Sequence, residues 1–163
     1  MTTLQRFVDA QDDRASGFHA ALEELRAGRK RTHWIWYVFP QLRGLGSSPP
    51  AVHFGLDGVA EGRAFLEHAL LRTRLIEAMD AAAGQVRAGT PVTTLMGSHI
   101  DTLKLVSSMT LFSALAHHRL DDRAIGKDCQ QLAKGADTLL DAAASEGVAP
   151  CAFTTQALAA SVE

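Results

Sequence analysis

Asp101, Lys104, Ser107 and Ser108 lie within one strongly apolar stretch, Ile100 to His117, whose spacing is helical. Each helical residue advances about 100° around the axis, so Asp101, Lys104 and Ser108 share one narrow stripe flanked by Leu105, Leu111, Phe112 and Leu115. A helix that is apolar nearly all round is buried, and a polar stripe on it must find partners or face a cavity. One reading is an Asp101–Lys104 pair at i, i+3, satisfied in or beside the core. The other is a pocket in which Lys104 and the hydroxyls of Ser107 and Ser108 bind an anionic or hydroxyl-rich ligand, with Asp101 orienting the lysine or accepting from a diol. A carboxylate so close favours the charged ammonium, which argues against a nucleophilic lysine.

A second constellation is Thr32 to Gln41, where His33, Trp34, Trp36 and Phe39 follow the basic run Arg29, Lys30, Arg31. Flat aromatic faces beside cations are the ingredients of a nucleobase-stacking site with phosphate contacts, although large aromatics more often fill cores. His33 is the residue here able to act as an acid or base near neutral pH, and Gln41 can orient a substrate or water. The catalytic candidates are therefore His33, Asp101 and Lys104. The ligand-binding candidates are His33, Trp34, Trp36, Gln41, Lys104, Ser107 and Ser108. Joined, the two constellations describe a pocket between the aromatic motif and the Lys104 helix, suited to a nucleotide or a sugar phosphate.

Other chemistries lack support. There is no Walker-type loop, dinucleotide fingerprint, G-x-S-x-G elbow or H-E-x-x-H, and no cofactor is implied. His99, His117 and His118 match no metal spacing, so no metal is expected. Cys129 and Cys151 are far apart and outside any zinc pattern, and read as ordinary small side chains.

The elements that position these residues read as mainly α: a single compact multihelical domain of about six to eight helices over 1–146, with a weakly patterned tail at 147–163. Thr3 is placed to cap a short helix carrying Phe7 and Val8. Asp12 or Asp13 is placed to cap a second, running to about Ala27 and stopped by Gly28. Residues 33–39 read equally as strand or buried helix. Ala51–Leu56 reads as a short turn of helix or an irregular segment and Thr93–Gly97 as one short turn, and helices are expected at Asp57–Glu67, Ala69–Arg87, Ile100–His117, Asp122–Ala133 and Asp137–Ser145.

Arg6-Phe7-Val8-Asp9-Ala10-Gln11, His33 through Gln41, Gly44-Leu45-Gly46, Asp101, Lys104-Leu105 and Ser107 through Phe112 together resemble the bacterial domain-of-unknown-function family eighteen-ten, over roughly Leu4 to Leu140. The resemblance implies a compact multihelical fold and no settled reaction. A calpastatin label sometimes attached to that family finds no support, since calpain-inhibitory segments are flexible repeats and this chain reads as a packed globule. The chain departs from the family pattern at Ala69 and Arg72, where the family tends to have Pro and Gly, and beyond Ser145.

With 163 residues, 47% apolar, and 16 basic against 18 acidic side chains, the chain can close one core and carries no field that would gather nucleic acid or an anionic membrane. No membrane span or signal peptide is read, so a cytoplasmic protein is expected. Three function classes stand: a binding domain for a nucleotide-like or sugar-phosphate anion, a hydrolase of nucleotide or ADP-ribosyl bonds, and a protein–protein interaction module of unknown partner.

Overall fold

The computed structural model describes residues 4–162. Its helices are α1 (Gln5–Gln11), α2 (Phe18–Arg26), α3 (Ile35–Val38), α4 (Pro49–Phe54), α5 (Gly58–Glu67), α6 (Ala69–Arg87), α7 (Val92–Met96), α8 (His99–His117), α9 (Gly126–Ser145) and α10 (Ala152–Ala160). The fold is all-α, one compact domain; an isolated parallel bridge between Leu42 and Leu56 is the β pairing among the described residues. The expected cap Thr3 lies outside the described residues.

The axis of the domain is α8, which is buried on nearly every side from Leu105 through Ala116. Ser98 caps it, accepting from the Asp101 amide at 3.1 Å. α9 packs along α8, α6 packs on α9, and α2 packs on α6, while α5, α7 and α10 close the remaining faces of α8. The core they enclose is Leu- and Ala-rich, with Phe7, Phe65 and Phe112 as its largest fully buried rings beside Trp34 and Phe39.

Several boundaries differ from the sequence reading for identifiable reasons. Ten helices stand among the described residues where about six to eight were expected. The stretch from 33 to 39 resolves as helix, but only for one turn, between Trp34 and Phe39. α2 begins at Phe18, because Asp13 accepts from the amides of Ala15 and Ser16 and builds a turn in place of capping the helix. The two helices expected on either side of Lys134 and Gly135 are one, α9. Gly135 faces Met79 of α6 so closely that a Cβ there would lie 1.8 Å from the Met79 sulfur. The glycine that resembles a break lets two long helices approach. Residues 152–160, in the weakly patterned tail, form α10 against α8 and α5.

Candidate functional site

The polar stripe of α8 meets the aromatic motif in a chain of alternating charges and rings. The Lys30 ammonium, buried, lies 2.8 Å from Asp101 and 5.1 Å from the ring centre of Trp34. Asp101 stands 3.7 Å from Lys104, whose ammonium lies 4.8 Å over the ring of Trp36. An aromatic face and a carboxylate both attract positive charge, so each lysine is seated between a ring and the shared Asp101. The first reading of Asp101 and Lys104 as a local pair is present in the structure. Asp101, however, is held more closely by Lys30, and the longer separation leaves the Lys104 ammonium donors available.

The aromatic motif divides. Trp34 has no exposed surface, and its Nε1–H donates to Glu24 Oε1 at 3.2 Å. It cannot stack on a ligand, so of its two readings, core and platform, the structure has the core one. Glu24 also accepts from the amides of Arg31 and Thr32 and from the Thr32 hydroxyl. Burial pushes its carboxyl up, but the bonds from Thr32, Arg31 and Trp34 outweigh that and hold it below its ordinary value. Trp36 is half-buried, with an enclosed Nε1–H that has no hydrogen-bond partner among the described residues. His33 is exposed, 6.5 Å from the Trp36 ring, with no side-chain partner among the described residues to make it a base.

Beside this chain of charges a cavity of about 350 Å³ opens between three walls. Gln41 and Leu45 come from the loop after α3. Ile100, Leu103, Lys104 and Ser107 come from the first turns of α8. Pro150 and Cys151 come from the segment leading into α10. Ile100 and Leu103 are apolar yet 65% and 44% exposed, forming a shelf at the mouth.

Gln41 is the unusual member of this lining. The residue is only 8% exposed, its carbonyl accepts from the Leu56 amide at 2.9 Å, and its side-chain amide has no partner among the described residues. The Gln41–Leu56 and Leu56–Arg43 backbone bonds fix the loop so that this amide stays on the cavity wall. The third wall is fixed by Thr110 of α8, whose hydroxyl donates to the Val106 carbonyl at 2.7 Å and accepts from the Cys151 amide at 3.1 Å.

Of the expected ligand residues, the structure brings Gln41, Lys104 and Ser107 together on one cavity. Ser108 is fully enclosed and its hydroxyl has no partner among the described residues; His33, Trp34, Trp36 and Ser108 are not in the lining. Of the catalytic candidates only Lys104 lines it. Cys151, read as an ordinary small side chain, does line it. Pro150 followed by the helix-compatible run Ala152-Phe153-Thr154 was the available signal, a helix start placed after the family motifs end. Cys129 is buried on α9, and burial pushes its thiol up.

Three other polar clusters tie elements of the fold together. Arg6 donates to the carbonyls of His53 and Gly55 and to Glu61, tying α1 to the α4–α5 corner, and Gln11 bridges the Tyr37 carbonyl and Arg74. Glu146 accepts from the amides of Val92 and Thr93 and from the Thr93 hydroxyl, satisfying the start of α7. Among the described residues no group of His, Cys, Asp and Glu could hold a metal ion, and no helix is long and apolar enough to cross a membrane.

Fold and cavity thus define an all-α domain with a small cavity that combines polar anchors on two walls with an apolar shelf at its mouth. The chain belongs to the family described as protein of unknown function (DUF1810), whose model matches residues 1–138. A solved relative, a conserved hypothetical protein from Mycobacterium tuberculosis, is 46% identical, with a TM-score of 0.64 over 79% of this chain and 83% of that one. No curated protein matches. The family match covers two walls of the cavity and ends before the third, at Pro150 and Cys151.

Proposed function

We propose that this cavity binds a small organic anion with a flat apolar body, a nucleotide-like ligand in preference to a sugar phosphate. The observation that carries the reading is Gln41, a residue only 8% exposed whose side-chain amide has no partner among the described residues, on the wall of a cavity that also holds Lys104 and Ser107. That amide presents one donor and one acceptor side by side, and a ligand with a matching pair would take up both. Lys104 supplies the charge for the anionic end. The apolar remainder of the lining favours a base-like ring lying on Ile100 and Leu103 over a ligand hydroxylated on all sides.

The size agrees with one mononucleotide, since about 350 Å³ is near the lower end of the roughly 300–1,000 Å³ common for ligand pockets. A cytoplasmic location belongs to the same reading, because such anions are held there. Binding is better supported than hydrolysis of nucleotide or ADP-ribosyl bonds: among the described residues no histidine or carboxylate lines the cavity, and Asp101 is engaged by two lysines. It is better supported than an interaction module as well, because the exposed apolar side chains nearest one another, Ile100 and Leu103, form the mouth of the cavity and not a separate patch.

The test is thermal melting against nucleoside monophosphates, sugar phosphates and inorganic phosphate. A ligand present at about 100 times its Kd stabilises by about 2.7 kcal/mol, a readily measured rise in Tm. The reading requires that rise with mononucleotides, and its loss in Gln41→Leu protein that melts normally without ligand. No rise with any mononucleotide would remove it.

A further inference from the structure

Cys151 lines the same cavity as the unpartnered Gln41 amide and the Lys104 ammonium, on the third wall, and is partly exposed. It occupies the position immediately before α10, and the Thr154 hydroxyl donates to its sulfur at 3.2 Å. The Cys151 amide is tied to Thr110, so the sulfur is held at a fixed place on the wall. Ser107, opposite, donates to the Leu103 carbonyl at 2.9 Å, and rotation of its hydroxyl turns the same proton toward the sulfur. Burial alone would push the Cys151 thiol up. The hydroxyls of Ser107 and Thr154 and the backbone amides of Thr154 and Phe153 outweigh it and hold the thiol below its ordinary value.

We infer that Cys151 is a thiol–disulfide exchange site, in which the cavity admits a small disulfide bearing a carboxylate and becomes closed by the mixed disulfide that forms. This rests on the reading of the cavity as a ligand pocket and names its regulation. The Cys151 thiolate attacks one sulfur of the small disulfide. The S–S bond of that molecule breaks, a new S–S bond joins its nearer half to Cys151, and the other half leaves as a thiolate that takes a proton from water. One protein thiol is oxidised and one small thiol is released, so electrons balance without a further oxidant.

Three features select this chemistry. The partner sulfur must come from solution, because the second cysteine, Cys129, is enclosed in the core on α9 and both are free thiols. The retained half needs room beyond the sulfur, which the cavity gives. Lys104 and the unpartnered Gln41 amide offer its carboxylate a charge and a donor on the facing walls. The retained half then occupies the space the nucleotide-like ligand would use, so exchange switches binding off and reduction restores it.

The experiment is intact-protein mass spectrometry over time at pH 7.5, with glutathione disulfide as the anionic probe and cystamine as a cationic one. The expected result is a single adduct per chain, mapped to Cys151, forming at least about tenfold faster than any adduct on Cys129. Cys151→Ser protein that melts normally forms none. Glutathione disulfide reacts faster than cystamine, and Lys104→Met reverses or abolishes that preference. Dithiothreitol removes the adduct. Modification of Cys129 at a comparable rate, or an unreacted Cys151 in folded protein whose denatured form reacts at both thiols, would overturn the inference. The mass readout is independent of nucleotide binding: an adduct at Cys151 in protein that binds no mononucleotide counts against the pocket's proposed ligand, and a ligand-binding protein with an inert Cys151 counts against exchange alone.

Discussion

The aromatic motif and the C-terminal segment approach the cavity from different sides and are held there by different means. The motif is built into the core: Trp34 and Phe39 have no exposed surface, Tyr37 is buried, and Glu24 gathers the backbone of Arg31 and Thr32 with the Trp34 indole. The C-terminal segment lies on the outside of α8, tied by the Cys151–Thr110 hydrogen bond, with Phe153 44% exposed and Thr154 the buried residue of α10. One wall is rigid because folding requires it. The other lies at the surface, and amide exchange is expected to find it opening at a lower free energy than the core does.

Substitution separates the two walls. Trp34→Ala empties a fully enclosed site and is expected to cost about 3–5 kcal/mol, read as a lower midpoint in chemical denaturation; a cost under about 1 kcal/mol would mean that the motif is not core. Glu24→Ala leaves several donors without their acceptor and is expected to cost about 2 kcal/mol by the same measurement. Its carboxyl is lowered in the folded state, so its contribution is fully present above the ordinary carboxylate value and is lost as pH falls through the lowered one. Glu24→Gln protein should therefore lose less stability than the parent on acidification toward pH 3; identical acid limbs would refute the assignment.

Thr110→Val removes the tether of the outer wall. It is expected to cost about 1 kcal/mol globally, but to raise amide exchange in α10 well before the rest of the chain. Uniformly raised exchange would show that the two walls open together. Smallest of all, Cys151→Ser should change stability by less than about 0.5 kcal/mol while abolishing the disulfide adduct.

The same division explains what was legible in the sequence. The long helices α6 and α8 were readable from periodicity, and the Asp101–Lys104 stripe from the 100° step, because both depend on local geometry. That Lys30 would reach Asp101, across some seventy residues of chain, was not readable, since a basic run beside a helix end is ordinarily solvated. The tryptophans of one motif separated into a core residue and a partner of Lys104 only in three dimensions: local composition does not record which ring faces the α2 carboxylate and which faces α8. Gln41, Lys104 and Ser107 were identified as candidates and share one cavity. Cys151 was not legible as a cavity residue, because α8 and the loop after α3 are what face it and a weakly patterned segment gives no sign of them.

The most direct measurement is titration of intrinsic fluorescence, because Trp34 and Trp36 are the two tryptophans of the chain, one enclosed and one beneath the Lys104 ammonium. A mononucleotide that displaces or engages Lys104 should give saturable quenching in the parent protein, and little or none in Lys104→Met or Gln41→Leu proteins with unchanged melting. Emission indifferent to every nucleotide, or quenching equally strong in both variants, would contradict the assignment of the cavity as a binding site.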